Sequence, residues 1–276
     1  MDRPAAGGRP VSTALTPRRR QRLARGAQYA VFAVALLLLA AFADWERLRE
    51  QFLDVSVAQQ LFPDLITVAL FNTVVYTLSG FAVGLVLGLV VALMRLSSVG
   101  PYRWLAMAYI EFFRGLPALL IFIFVGVGVP LAFPGLVFPG GTYGQVACAL
   151  GLVSAAYMAE TIRAGIQAVP RGQLEAARTL GMSHATAMRS IVIPQAFRII
   201  VPPLTNELVL LFKDSSLVLF LGVTLEQREL TKFGRDLASQ EANTTPIFVA
   251  GLCYLLVTIP LGLLVRRLES RHAKAR

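Results

Sequence analysis

Apolar residues in this chain gather in long blocks, not in the short stripes that mark soluble amphipathic helices. The blocks run over 27–43, 65–94, 104–129, about 144–168, about 194–223 and about 246–265. A membrane-spanning helix needs roughly 20 apolar residues, and only the first block is short of that. Charges and breakers interrupt the later blocks. Glu111 and Arg114 fall in the third, Glu160 and Arg163 in the fourth. Pro202-Pro203 and a Lys213-Asp214-Ser215-Ser216 run fall in the fifth. The pattern predicts an all-α, polytopic membrane helix bundle. A soluble protein with one large core would need several successive helices with no polar face.

One block breaks the pattern. Gln173 to Gln195, QLEAARTLGMSHATAMRSIVIPQ, leans polar between two apolar runs. Pro170 and Gly172 end the span before it. Glu175 is expected in the first turn of a short helix, where a carboxylate suits the positive end of the dipole. Leu174 and Ala177 share a face. Gly181 stops that helix in a left-handed conformation, and Ser183 caps a second helix. In the second helix Met188, Ile191 and Val192 share a side, and Pro194 closes it. Two short helices joined by a tight elbow, with some apolar surface turned outward, suit a groove on another protein.

Charge fixes the direction of the spans. Lys and Arg mark cytoplasmic loops. If the connections alternate, 19 Lys and Arg fall on the side of the N-terminus, 95–103, the 163–198 block and the tail from Arg266. Only Arg47, Arg49, Arg228, Lys232 and Arg235 fall on the other. Both termini and the polar block are therefore expected in the cytoplasm. Trp45 and Trp104 fall near span ends, as interfacial anchors do. The net charge of +10 sits mostly between apolar runs, so topology explains it and nucleic-acid binding is not implied. The first block, with its basic flank and Ala-Phe-Ala before Asp44, fits a retained span or a cleaved signal; the long basic region favours the span. Cys148 and Cys253 lie inside apolar runs, and two histidines, His184 and His272, build no metal centre.

The polar block resembles the EAA loop of permease subunits of ATP-binding cassette importers. Glu175-Ala176-Ala177, Gly181, Ile191, Ile193 and Pro194 match that pattern at every spacing, with Ile193 in a leucine place. EFFRGLP (111–117), YMAETIRAGIQAVPRGQ (157–173) and PPLTNELVLLFKDSSLV (202–218) are similar to the polar amino acid permeases, the histidine/glutamine/glutamate type. Leu116 departs from the threonine common there. The resemblance implies a type I importer transmembrane fold of five core spans, with 27–43 as an extra N-terminal one. It divides the chain into a basic tail 1–26, the span 27–43, a permease domain 60–268 with its coupling loop at about 170–195, and a tail 269–276.

The resemblance also implies a division of labour. The chain would form half of a translocation path for polar amino acids, either the glutamate, glutamine and aspartate group or the basic ones. It would lie in a bacterial inner membrane beside a second permease subunit, the same chain or a related one. A cytoplasmic ATPase dimer would hold ATP and Mg, and an extracytoplasmic binding protein would deliver substrate. No cofactor and no catalysis are expected in this chain, which contains no Gly-Lys pair and hence no phosphate loop. Glu175, Ala176, Ala177, Gly181, Ile191 and Pro194 would couple to the ATPase, Glu175 either meeting a basic group there or capping its own helix.

Charged groups inside spans are costly and often functional. Glu160, Asn206, Glu207, Lys213, Asp214 and Ser215 are candidates for the substrate path, and Lys213–Ser216 for a broken helix that exposes backbone groups. Glu111, Arg114 and Arg163 read rather as structural ion pairs, Arg114 with Glu160 for example. Gly80, Gly84 and Gly88, four apart, read as a packing seam. A permease for another small solute shares the EAA loop but not the other motifs. A secondary transporter leaves that loop unexplained, and no HExxH or GxSxG run supports a membrane enzyme.

Overall fold

The computed structural model describes residues 17–274, and the helices among them follow the apolar blocks. The tail before residue 17, with Arg3 and Arg9, and Arg276 at the other end lie outside the described residues. The chain divides into two units, Met1–Arg49 and Glu50–Arg276. In the first, helix α1 (Pro17–Phe42) runs from a basic start into the first apolar block, and Trp45 Nε1 donates to Ala40 O at 2.7 Å. Helix α2 (Trp45–Phe52) crosses the boundary between the units.

The second unit opens with α3 (Val55–Gln60), capped by Asp54, whose carboxylate accepts from the Ser56 and Val57 amides. A π-helical turn Leu65–Leu70 leads into α4 (Phe71–Leu96). Next come α5 (Gly100–Gly115), α6 (Ala118–Ile123), a π turn Phe124–Gly128 and α7 (Val129–Ala132). Helix α8 is Thr142–Gln167. The elbow follows as α9 (Arg171–Thr179) and α10 (His184–Ala187), and α11 is Ile193–Asp214. Beyond α11 the chain tightens into 3-10 turns at Ser215–Leu221 and Leu225–Gln227, then forms α12 (Leu230–Glu241) and α13 (Thr245–Lys274). No strand occurs among the described residues.

Among the described residues four helical stretches are long and apolar enough to cross a membrane: Arg20–Phe42, Leu65–Leu96, Thr142–Gln167 and Thr245–Ser270. A fifth is the pair Gly100–Gly115 and Ala118–Ala132, bent by 105°. Helix α11 is not among them; it carries Arg198, Glu207, Lys213 and Asp214. The third apolar block is thus not one straight span. Leu116 and Pro117 are extended (φ −99, ψ 142 and φ −58, ψ 133), because proline excludes the helical conformation from the residue before it.

Helices α4 and α8 form the central seam. Side chains at Gly80, Gly84 and Gly88 would collide with Leu150, Ser154 and Met158 respectively, and Gly151 in turn faces Val83. Small residues four apart let two helix backbones approach, which is how helices associate where lipid removes the hydrophobic drive. The expected glycine seam is therefore present, and α8 is its partner. Around it pack Tyr76, Phe122, Val146, Leu150 and Leu211 toward one end of the bundle, and Val91, Ala106, Ile162, Val192 and Ala196 toward the other.

The segment between α11 and α12 is clamped by buried polar groups. Asn72 Nδ2 donates to the Glu226 and Arg228 carbonyls at 2.7 and 3.0 Å, and Tyr76 Oη to the Gln227 carbonyl at 2.9 Å. Tyr143 holds Asn72 through its Oδ1 at 2.7 Å. Glu229, fully buried, caps α12 by accepting from the Thr231 and Lys232 amides at 2.5 and 2.6 Å, and takes a further bond from Tyr254 Oη at 2.9 Å. Burial pushes the Glu229 carboxyl up to about 7, while those three donors pull the other way. The folded state therefore holds this proton more tightly than the unfolded one. The resulting stability is fully present below about 4.5, the ordinary value of the carboxyl in the unfolded chain, and is lost as pH rises through about 7. Glu229→Gln is expected to flatten that slope in thermal unfolding of the detergent-solubilised protein. Glu229→Ala, which orphans three donors, is expected to lower stability by about 1–3 kcal/mol.

Candidate functional site

The elbow is built from local sequence. Helix α9 ends in a Schellman pattern: the Gly181 amide donates to Arg178 O at 3.1 Å and the Met182 amide to Ala177 O at 3.1 Å. This closure needs a left-handed residue, and Gly181 supplies it at φ +86. Ser183 then caps α10, its Oγ accepting from the Thr186 amide at 3.1 Å. Ala177 is buried and Leu174 is half-buried against the core cluster that contains Val192 and Ala196, so that face of α9 packs on the chain's own core. What points outward is Glu175, Ala176 and Leu180, the last 84% exposed.

Two expectations about the elbow need correction. Glu175 is the fifth residue of α9 and not in its first turn, so it lies past the reach of the helix's positive end and does not cap its own helix. Pro194 does not close the second helix. The chain passes from α10 through a π-helical turn, Met188–Val192, straight into α11. A proline has no amide to give its i−4 carbonyl and crowds it. The wider turn, in which the Ile193 amide reaches back to Met188 O, makes room for the ring. Ile191 is half-buried and Val192 buried on this stretch.

A cavity of about 230 Å³ opens between α8, α11 and the α5–α6 break. Its wall is largely apolar, with Leu116, Phe122, Leu150, Val153 and Leu211, and carries polar groups from Ser154, Tyr157, Glu207 and Asp214. Glu207 and Asp214, seven residues apart on α11, share one face roughly 10 Å apart along the axis. Measured along α11 from its elbow end at Ile193, Glu207 lies ~21 Å in and Asp214 ~32 Å. Tyr157 lies ~15 Å from the Gln167 end of α8.

Of the six substrate-path candidates, this cavity brings together Glu207 and Asp214. Glu160 pairs with Arg163 on its own helix at 3.7 Å. Ser215 is buried and donates to Phe212 O at 2.8 Å. Asn206 and Lys213 are exposed and do not line the cavity. The Lys213–Ser216 run does not unwind the chain; α11 narrows there to a 3-10 turn, and the broken helix is at Leu116–Pro117. Arg114 does not meet Glu160. Its guanidinium sits 5.4 Å from the ring centroid of Tyr157, and among the described residues neither it nor Glu111 forms an ion pair. Ser154 and Tyr157 were missed by the sequence reading, although Tyr157 opens one of the quoted motifs. Among the described residues no cluster of His, Cys, Asp and Glu could hold a metal.

The family described as binding-protein-dependent transport system inner membrane component matches residues 84–274. A "Probable glutamine ABC transporter permease protein GlnM" of Bacillus subtilis (strain 168) is 41% identical over 208 residues, 74% of this chain and 92% of that protein. The "Glutamate/aspartate import permease protein GltK" of Escherichia coli O6:H1 is 35% identical over 205 residues, 73% of this chain and 90% of that protein. Among solved structures, an amino acid ABC transporter crystallised with histidines superposes with a TM-score of 0.70 at 36% identity, covering 79% of this chain and 99% of that one.

Proposed function

The chain belongs to the binding-protein-dependent transport system inner membrane components, and on that premise we propose that it forms the membrane path of an ATP-driven importer of polar amino acids. The observation that carries the reading beyond family is the elbow. A rigid, left-handed turn at Gly181 projects Glu175, Ala176 and Leu180 away from the bundle, while α10 continues without a break into α11, which lines the cavity. A push on the elbow is therefore a push on the cavity wall. Rigid-body motion of such an element is an established way to alternate access.

In this reading the elbow, with Ile191 and Pro194 in the stretch that joins it to α11, seats in a cytoplasmic ATPase dimer that holds ATP and Mg. A second permease subunit completes the path, and a binding protein delivers substrate to the far face. The chain itself is a transport component and performs no hydrolysis. Both described ends would lie in the cytoplasm. The cavity supports an amino acid as ligand: Glu207 and Asp214 offer carboxylates to an ammonium group inside an otherwise apolar wall.

The test is reconstitution. The chain, co-expressed with its phosphate-loop ATPase and placed in liposomes, is expected to take up an amino acid only with ATP inside and loaded binding protein outside. Hydrolysis should rise when the loaded binding protein is added. Uptake by the lone chain without ATP would overturn the reading in favour of a secondary transporter.

A further inference from the structure

We propose that Gln145 is a positioning residue that latches the end of the cavity opposite the elbow, holding Leu221 in a notch at Gly126. The inference rests on the transport reading, because a closed far end matters only if a solute must pass it.

That end is closed by apolar packing. On α8, Leu150, Val153 and Tyr157 line the cavity. Val146, one turn nearer the start of that helix, belongs to a buried cluster with Phe122, Val125 and Val218, and Leu221 packs against it. A Cβ at Gly126 would collide with Leu221 Cδ2, so the leucine methyl fills the space that the missing side chain leaves.

The segment carrying the notch is not fully held by its own helix. Gly126 lies in the π turn Phe124–Gly128, where the Val129 amide is taken by Phe124 O. The next residue, Pro130, has no amide. It can serve neither Gly126 O at the α-helical spacing nor Val125 O at the π spacing. Gln145 serves both: its Nε2 donates to Val125 O at 3.3 Å and to Gly126 O at 3.1 Å. Gln145 stands near the start of α8, so one side-chain amide ties the notch to the central seam across the gap left by the proline. Single π turns inside helices recur at functional sites. This one is free to change register, and to release Leu221, once Gln145 lets go.

The experiment reads access to the cavity from the far face. The chain carries Cys148→Ala and Cys253→Ala, which remove its native thiols, and Ala118→Cys, which places one on the cavity wall. It is co-expressed with its ATPase, and right-side-out membrane vesicles without nucleotide are labelled by a membrane-impermeant maleimide. Labelling is expected to be slow in this parent and about tenfold faster with Gln145→Ala, the worth of a lost hydrogen bond. Leu221→Ala, which empties the notch without touching Gln145, should label faster as well. Pro130→Ala gives back the missing amide, so Pro130→Ala/Gln145→Ala is expected to label as slowly as the parent. A merely structural role for Gln145 would give no such rescue from another helix. Equal labelling of the parent and Gln145→Ala overturns the proposal, and so does a double variant that labels as fast as Gln145→Ala. Should Gln145→Ala fail to assemble, an unchanged rate in Leu221→Ala overturns it instead. Labelling is independent of uptake: a complex that transports and shows any of these results fails only the latch, whereas one that takes up no amino acid fails the transport reading.

Discussion

Gly84→Leu is expected to abolish the folded bundle. A Cβ at Gly84 would already overlap Ser154 Oγ and lie 3.2 Å from Ser154 Cβ, with the Ala155 backbone just behind. Ser154 is buried, and turning its hydroxyl aside would still leave its Cβ and the Ala155 amide against the new side chain; one turn to either side the seam is equally closed. A Cβ at Gly80 would stand 2.5 Å from Leu150 Cβ, and one at Gly88 2.9 Å from Met158 Cβ. A leucine must therefore separate α4 from α8 along their whole contact. Overpacking usually costs about 1–3 kcal/mol where neighbours can give, and here the neighbours are backbone and first side-chain carbons. The expected result is loss of a monodisperse peak in size-exclusion chromatography and of any thermal transition. Gly262→Leu in α13, where nothing lies within 4 Å, should leave both within about 0.5 kcal/mol of wild type. A Gly84→Leu protein that melts like the wild type would mean that the α4–α8 seam does not hold the bundle.

That seam shows what a sequence of this kind discloses. Membrane thickness demands long apolar stretches, so the spans and the glycine spacing stand out in the chain. The elbow is also local: Gly181 and Ser183 act on their immediate neighbours, so its shape is legible from a dozen residues. What stays hidden depends on partners far apart. Asn72 holds the Glu226 and Arg228 carbonyls across about 150 positions, and no periodicity announces that contact. Arg114 was expected to meet Glu160 because both are charged and in neighbouring spans. Its actual partner, Tyr157, sits one helical turn earlier on the same helix. The break at Leu116–Pro117 was within reach, since a proline inside an apolar block constrains the residue before it, but charge drew attention to Glu111 and Arg114 instead.

Gly181→Val is expected to leave the bundle intact and disconnect it from ATP. The glycine sits at φ +86 with open space around the position of a Cβ, so valine meets no steric obstacle from packing. The difficulty is conformational: a left-handed L-residue costs roughly 1–2 kcal/mol, and a β-branched one tends to move out of that region. The Gly181 and Met182 amides then lose Arg178 O and Ala177 O, and α9 no longer leaves α10 at a fixed angle. Because α9 and α10 are short and at the periphery, thermal unfolding of the complex should shift by only a few degrees. Transport and the stimulation of hydrolysis by loaded binding protein should both fall at least about tenfold, the effect of some 1.4 kcal/mol of lost coupling. Asparagine tolerates the left-handed region, so Gly181→Asn should recover most of both. Normal transport by Gly181→Val would remove the elbow from the coupling path. Equal failure of the valine and asparagine variants would instead mean that the site requires the absence of a side chain, as a surface pressed against the ATPase would.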